Sequence, residues 1–281
     1  MLLKFRLALA FVVAAAPLAT SLAKPSDSRI AANDPLAQAI ASPSRTESYR
    51  ARDVYRHPLE TLKFFGIRPD MTVVEIWPSG GWYTEILAPY LRDQGKYYAA
   101  GSAASLPDAS EGTRQSVAEY QQRLDADPAR YSAVSVTEFR PPLRMEICPP
   151  GSADLVLTFR NVHNWMAGGY EQEAFNAFYT ALKPGGVLGV EEHRAKPYTT
   201  LEQTKKTGYV NESYVKALAA NAGFQFVADS PVNDNRKDKK DYPDGVWTLP
   251  PTYTLGDKDK AKYEAIGESD RMTLKFIKPK A

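Results

Sequence analysis

The chain has a single cysteine, Cys148, so it cannot form an internal disulfide. Cys148 precedes Pro149-Pro150 and reads as an inert loop or strand-edge residue. Nor is there an excess of one charge: 35 Lys and Arg stand against 33 Asp and Glu, for a formal net charge of +2. That balance gives nucleic acid or anionic lipid no electrostatic grip, and neither is expected as a partner. The apolar run 7–18 is shorter than the roughly 20 residues needed to span a bilayer, so stable membrane insertion is not expected. Histidine is scarce too. His57, His163 and His193 are the whole supply, so any imidazole chemistry must use them. No internal repeat is visible.

What is present begins with a tripartite leader. Lys4 and Arg6 precede the apolar run, Ser21-Leu22-Ala23 forms a small-x-small cleavage site, and a polar stretch opens at Lys24. This pattern predicts a signal peptide over 1–23, cleaved after Ala23, and a periplasmic protein. No cysteine stands at the site to take a lipid. Cleavage removes two cations and no acid, which brings the net charge to zero. The remainder suits one α/β domain over 51–281, preceded by a flexible lead-in or short surface helix over 24–50.

Along the mature chain, apolar strand patterns alternate with helical ones. A helix is expected to begin at Pro58, and strands at 73–76, 96–100, 133–139, 155–159, 187–191, 224–228 and 272–277. Helices are expected over 82–91, 116–124, 171–182 and 213–222. The alternation predicts a doubly wound, mostly parallel, Rossmann-like sheet of seven strands. A long connection, 229–271, precedes the last strand and reads as a lid or binding element. Its mixed-charge run 233–241 reads as a solvated loop, whereas Trp247 and Pro250-Pro251 are expected to pack over the sheet edge.

Ligands in such sheets bind at the carboxyl ends of the strands. After the first strand, Glu75 leads into Trp77-Pro78-Ser79-Gly80-Gly81 and a helix start at Trp82-Tyr83-Thr84. After the fourth come Arg160, Asn161, His163, Asn164 and Trp165; the fifth ends in Glu191-Glu192-His193-Arg194. His163 and His193 follow strands expected to be neighbours. With Glu191 or Glu192 they would suit a divalent metal, or a general base with its orienting partner, or merely hydrogen-bonded loops. Arg160 and Arg194 are candidate anion contacts. Trp77, Trp82, Tyr83 and Trp165 form a candidate aromatic lining. Asp270 and Arg271 are expected to pair with each other.

The Glu75 turn, Asp154-Leu155-Val156-Leu157 and Leu182-Lys183-Pro184-Gly185-Gly186 together resemble a class I S-adenosylmethionine-dependent methyltransferase. Segments 56–62, 81–90, 159–165, 244–251 and 267–272 resemble, more narrowly, a family of exported predicted methyltransferases. The resemblance implies S-adenosylmethionine as cofactor, near Glu75, Trp77, Ser79, Gly80, Gly81, Tyr83 and Thr84. It implies an acceptor, a small molecule or envelope component, near His163, Arg160, Asn161 and His193. Two departures bear on the pocket. Of the three turn positions that carry glycine in that fold, here 77, 79 and 81, only Gly81 keeps it. The ribose-holding acid at the end of the second strand is replaced by Tyr98-Ala99-Ala100-Gly101, with Asp108 the nearest acid downstream. Two other functions fit the same residues: a non-catalytic exported binding protein, and a metal-assisted hydrolase using His163 and His193.

Overall fold

Short runs of apolar and β-branched residues build the sheet. The computed structural model describes residues 34–280; the expected signal peptide lies outside them. Its strands are β1 Thr72–Ile76, β2 Lys96–Ser102, β3 Val134–Phe139, β4 Ala153–Phe159, β5 Leu182–His193, β6 Gln225–Ser230 and β7 Arg271–Ile277. Their order is β3-β2-β1-β4-β5-β7-β6, and β7 alone runs antiparallel to its neighbours. The central β1 and β4 are almost wholly buried, as apolar strands covered on both faces should be. All seven expected strands are present, and the architecture is the doubly wound one. The chain order reverses between β1 and β4, which places the natural crevice at their carboxyl ends.

Helices cover both faces: α1 Pro35–Ala41, α2 Glu47–Arg50, α3 Asp53–Arg56, α4 Pro58–Phe65, α5 Thr84–Leu91, α6 Glu111–Ala126, α7 Pro128–Tyr131, α8 Val162–Gly168, α9 Glu171–Ala181, α10 Leu201–Thr207, α11 Glu212–Asn221 and α12 Lys260–Ile266. The longest, α6, starts five residues before the expected 116, because Ser110 caps the Thr113 amide. Cys148 is buried in the β3–β4 loop, and burial pushes its thiol pKa up, in keeping with an inert residue.

Three expectations need correction. Residues 34–50 are not a loose lead-in; the alternative, a short helix, is present as α1. Asp34 caps α1, Leu36 is buried, Arg45 makes a bidentate pair with Asp53, and Thr46 donates twice to the buried Glu85. The 233–241 charge run of the long connection is not wholly solvated. Asn233 is buried and donates to Thr61 and Thr273; Asp238 is buried and accepts from the Tyr209 hydroxyl and the Asp270 amide. Asp270 and Arg271 do not pair. Asp270 meets Arg194 and Lys240, and Arg271 meets Glu191 and Glu268, since neighbours on a strand point to opposite faces.

Gly245 shows how tightly that connection is seated. Its φ is +57°, and an added Cβ would lie 2.1 Å from the Thr207 carbonyl oxygen. Gly245→Ala is therefore expected to destabilise the protein by roughly 2–4 kcal/mol through strain and overpacking. Urea unfolding measures this; an unchanged midpoint would mean that the connection is not held against α10.

Candidate functional site

The turn after β1 keeps a glycine-type backbone without the glycines. Trp77, Ser79 and Gly81 have φ of +49°, +53° and +85°. The left-handed region costs an L-residue with a side chain roughly 1–2 kcal/mol, so the turn must be held from outside. It is: Trp77 donates its amide to Ala100 at 2.8 Å and its indole N–H to the Phe139 carbonyl at 3.0 Å. Gly81 N donates to Pro78 O, and the Tyr49 hydroxyl donates to Gly80 O at 2.9 Å. The Trp77 ring meets Phe139 and Trp165 edge-on.

Against this turn opens a cleft of about 720 Å³, walled by Trp77, Ser79 and Gly80, by Gly101 at the end of β2, by Glu138 on β3 and by Glu119 on α6. Beside the end of β2, which carries no acid, the cleft wall thus has two acids from neighbouring elements. Glu138 stands directly opposite Gly101 in the β2–β3 register. Burial opposes its ionisation, but hydrogen bonds from Ser105 and Arg144 outweigh it and lower the pKa. Reading the sequence strand by strand missed both acids, because only the register shows that Glu138 faces Gly101. Asp108 is instead held by Arg140 at 2.6 and 2.8 Å.

Trp77, Ser79 and Gly80 thus border the cleft, whereas the other four expected cofactor contacts do not line it. Glu75 is buried and accepts from the Tyr97 hydroxyl; Tyr97 and Tyr120 both meet Thr84 at 3.0 Å. Tyr83 is buried and stacks on Phe159 at 3.7 Å between centroids. Gly81 is pressed against Tyr120, 3.3 Å from where its Cβ would be. Trp82 and Trp165 are likewise core residues rather than lining. The alternating run 75–84 is a single tight corner, and most of its side chains point inward to hold it.

A second cluster lies where β4 and β5 end. Arg160 has φ +60°, donates its amide to Glu191 O, and pairs with the Glu191 carboxylate at 2.9 Å. Asn161 ties this rim to β1 by donating to Ile76 O at 2.9 Å. His163 and His193 do come together, with ring centroids 5.4 Å apart. Their carboxylate is Glu192, not Glu191. It meets His163 Nδ1 at 3.1 Å and accepts the backbone amides of His163 and His193 at 3.2 and 2.8 Å. Ser269 Oγ holds His193 Nδ1 at 2.5 Å, and Trp247 packs edge-on against His163 at 5.9 Å. Burial, followed by the nearby His163 and Arg160, drives the His193 pKa well down, so that ring is neutral. Arg160 and Arg194 are both committed to carboxylates of the chain, Arg194 to Glu212, Asp234 and Asp270. Arg160, Asn161, His163 and His193 do not line the cleft. Contact between Trp77 and Trp165, and the Asn161 bond to β1, join the two regions.

No family model matches the chain, and no curated protein matches its sequence. Solved structures do match in shape. A SAM-dependent methyltransferase from Aquifex aeolicus superposes over 81% of this chain and 93% of its own, with TM-score 0.52 and 15% identity. This is the fold of the S-adenosylmethionine-dependent methyltransferases. A putative sarcosine dimethylglycine methyltransferase from Galdieria sulphuraria covers 83% and 86%, at TM-score 0.50 and 10% identity. The [4+2]-cyclase SpnF covers 83% and 82%, at TM-score 0.55 and 14% identity. One fold thus carries a methyltransferase and a cyclase, and the site must argue the reaction.

Burial pushes the Glu75 carboxyl up to about 7, against the Tyr97 hydrogen bond that favours its charge. The folded state therefore binds this proton more tightly than the unfolded chain. Stability falls as pH rises from the ordinary carboxyl range through about 7. Glu75→Gln removes that slope: relative to the variant, the wild type is expected to lose on the order of 3 kcal/mol between pH 4.5 and 8. Urea titrations of both proteins at the two pH values measure it; parallel curves would contradict a buried, proton-binding Glu75.

Proposed function

We propose that the protein is an S-adenosylmethionine-dependent methyltransferase that acts after export on a small-molecule or envelope-component acceptor. One observation carries the reading: the cleft opens on the left-handed turn at the carboxyl end of β1, beside the point where strand order reverses. Its volume, about 720 Å³, is within the range of roughly 300–1,000 Å³ typical of small-molecule sites. The similarity in fold to methyltransferases supports the same reading.

The donor and acceptor set fits the cofactor. Glu138 and Glu119 offer carboxylates to ribose hydroxyls, and the Trp77 ring offers an aromatic face to a purine. The exposed Ser79-Gly80 backbone would come closest to the amino-acid portion. When bound, the cofactor supplies an electrophilic methyl group. The chain's own contribution is to orient the reactants and exclude water, and the β4–β5 rim around Asn161 would receive the acceptor. Export rests on the leader: Lys4 and Arg6, the apolar run and the Ser21-Leu22-Ala23 site.

Calorimetry of the mature protein with S-adenosylmethionine, and with its demethylated product, tests the reading. Saturable one-to-one binding is expected, weakened at least tenfold by Glu138→Ala. Folded protein that gives no heat at millimolar ligand would rule out the cofactor. N-terminal sequencing of protein recovered from the periplasmic fraction should begin at Lys24; an intact Met1 in that protein would contradict cleavage.

A further inference from the structure

The rim after β4 and β5 holds a carboxylate whose charge the chain leaves to imidazole. Glu192 is fully buried. Its neighbours on the same rim each have cationic partners: Glu191 has Arg160 and Arg271, Glu268 has Arg52, Arg56 and Arg271, and Asp270 has Arg194 and Lys240. Among the described residues, the only side chain in ion-pairing range of Glu192 is the His163 ring. Beyond that ring it is met by the backbone amides of His163 and His193, so the position has room for a cationic partner.

We propose that His163, Glu192 and His193 form a binding site for a divalent transition metal of the zinc class. Each residue offers one ligand atom, and the three atoms lie within 4.8 Å of one another. Ions of this class take imidazole nitrogen and carboxylate oxygen at about 2.0–2.2 Å, so a modest closing of the triangle seats one. Two nitrogens and one oxygen favour zinc, nickel or cobalt over calcium or magnesium, which take oxygen ligands. The surroundings are those of a ligand site. Ser269 Oγ on His193 Nδ1 leaves Nε2 of that ring as the metal donor and fixes its plane. Trp247 and the buried Tyr209 flank the rings and limit access of water. Three protein ligands leave one tetrahedral position open, the arrangement of a reactive centre rather than of a closed structural one. The site is separate from the cleft proposed for the cofactor, and either can exist without the other.

Titration of untagged, chelator-stripped mature protein with Zn²⁺ and with Co²⁺ tests the proposal. One equivalent of each is expected to bind, with visible d–d absorption from bound Co²⁺. His163→Ala and His193→Ala should each weaken binding at least 100-fold, Ser269→Ala by roughly 10–100-fold, and His57→Ala should not weaken it. Circular dichroism identifies any alanine variant that fails to fold. Glu192→Gln, which keeps the shape of the side chain, then provides the test and should also weaken binding. The proposal is overturned if the wild type takes up no stoichiometric metal, or if folded variants at these positions bind as the wild type does. Binding of the demethylated cofactor product to metal-free protein is read separately, so failure here leaves the cofactor reading untouched.

Discussion

The carboxylate of Glu191 is the point on which the carboxyl edge of the sheet turns. It is fully buried at the end of β5, where Arg160 reaches it from β4 and Arg271 from β7. Arg271 passes the contact on to Glu268, which in turn holds Arg52 and Arg56 from the helices before β1. Four separate stretches of chain thus meet at two acids. Cations outnumber acids here, and burial followed by repulsion from Arg160 brings Arg56 down to about 9. Removing one member of such a lattice strands the others without water or partner and typically costs 3–5 kcal/mol. The rim residues are therefore placed by charge as well as by packing, and the loop after β4 accepts a left-handed Arg160 because Glu191 holds it at both backbone and side chain.

Much of this architecture was legible in the sequence. Strands buried on both faces announce themselves as continuous apolar runs, which is why β1 and β4 fell where expected; β5 contains the expected 187–191 but begins five residues earlier, at Leu182. Gly66 and Gly223 mark helix ends because the chain there turns left-handed. What was hidden depends on pairings that composition does not carry. The Ala-, Ser- and Pro-rich stretch 34–50 looks unstructured until Leu36 is seen filling the core and Thr46 satisfying a buried Glu85. Of the adjacent acids Glu191 and Glu192, strand alternation says that they face opposite ways, but not which of them faces the histidines. Glu138 is invisible as a cleft residue until the register sets it across from Gly101.

Two dissimilar environments therefore share one sheet edge. The β1–β2–β3 side is an open, mixed-polarity cleft with acids on its walls. The β4–β5 side is buried, rich in charge, and roofed by the connection that carries Asp238, Trp247 and Ser269. Between them stand the indoles of Trp77 and Trp165. In an open α/β sheet the two halves are built by different crossovers, so each can change its side chains without disturbing the strands beneath. The docked connection belongs to the second half, and its length reflects what it covers.

The turn at Trp77 and Ser79 has one further consequence. Glycine in a left-handed turn leaves the backbone free to leave that conformation; a tryptophan held there by Ala100 and Phe139, in a turn closed by the Gly81 amide on Pro78, is less free. Those hydrogen bonds set the shape of the wall before any guest arrives. A molecule that fits it meets no cost of ordering the loop, and one that does not fit finds a wall that will not reshape around it. A guest at this corner would be recognised by selection among shapes rather than by mutual adjustment. The bulk of the Trp77 indole, standing where a hydrogen atom would serve the backbone equally well, sets how narrow that selection is.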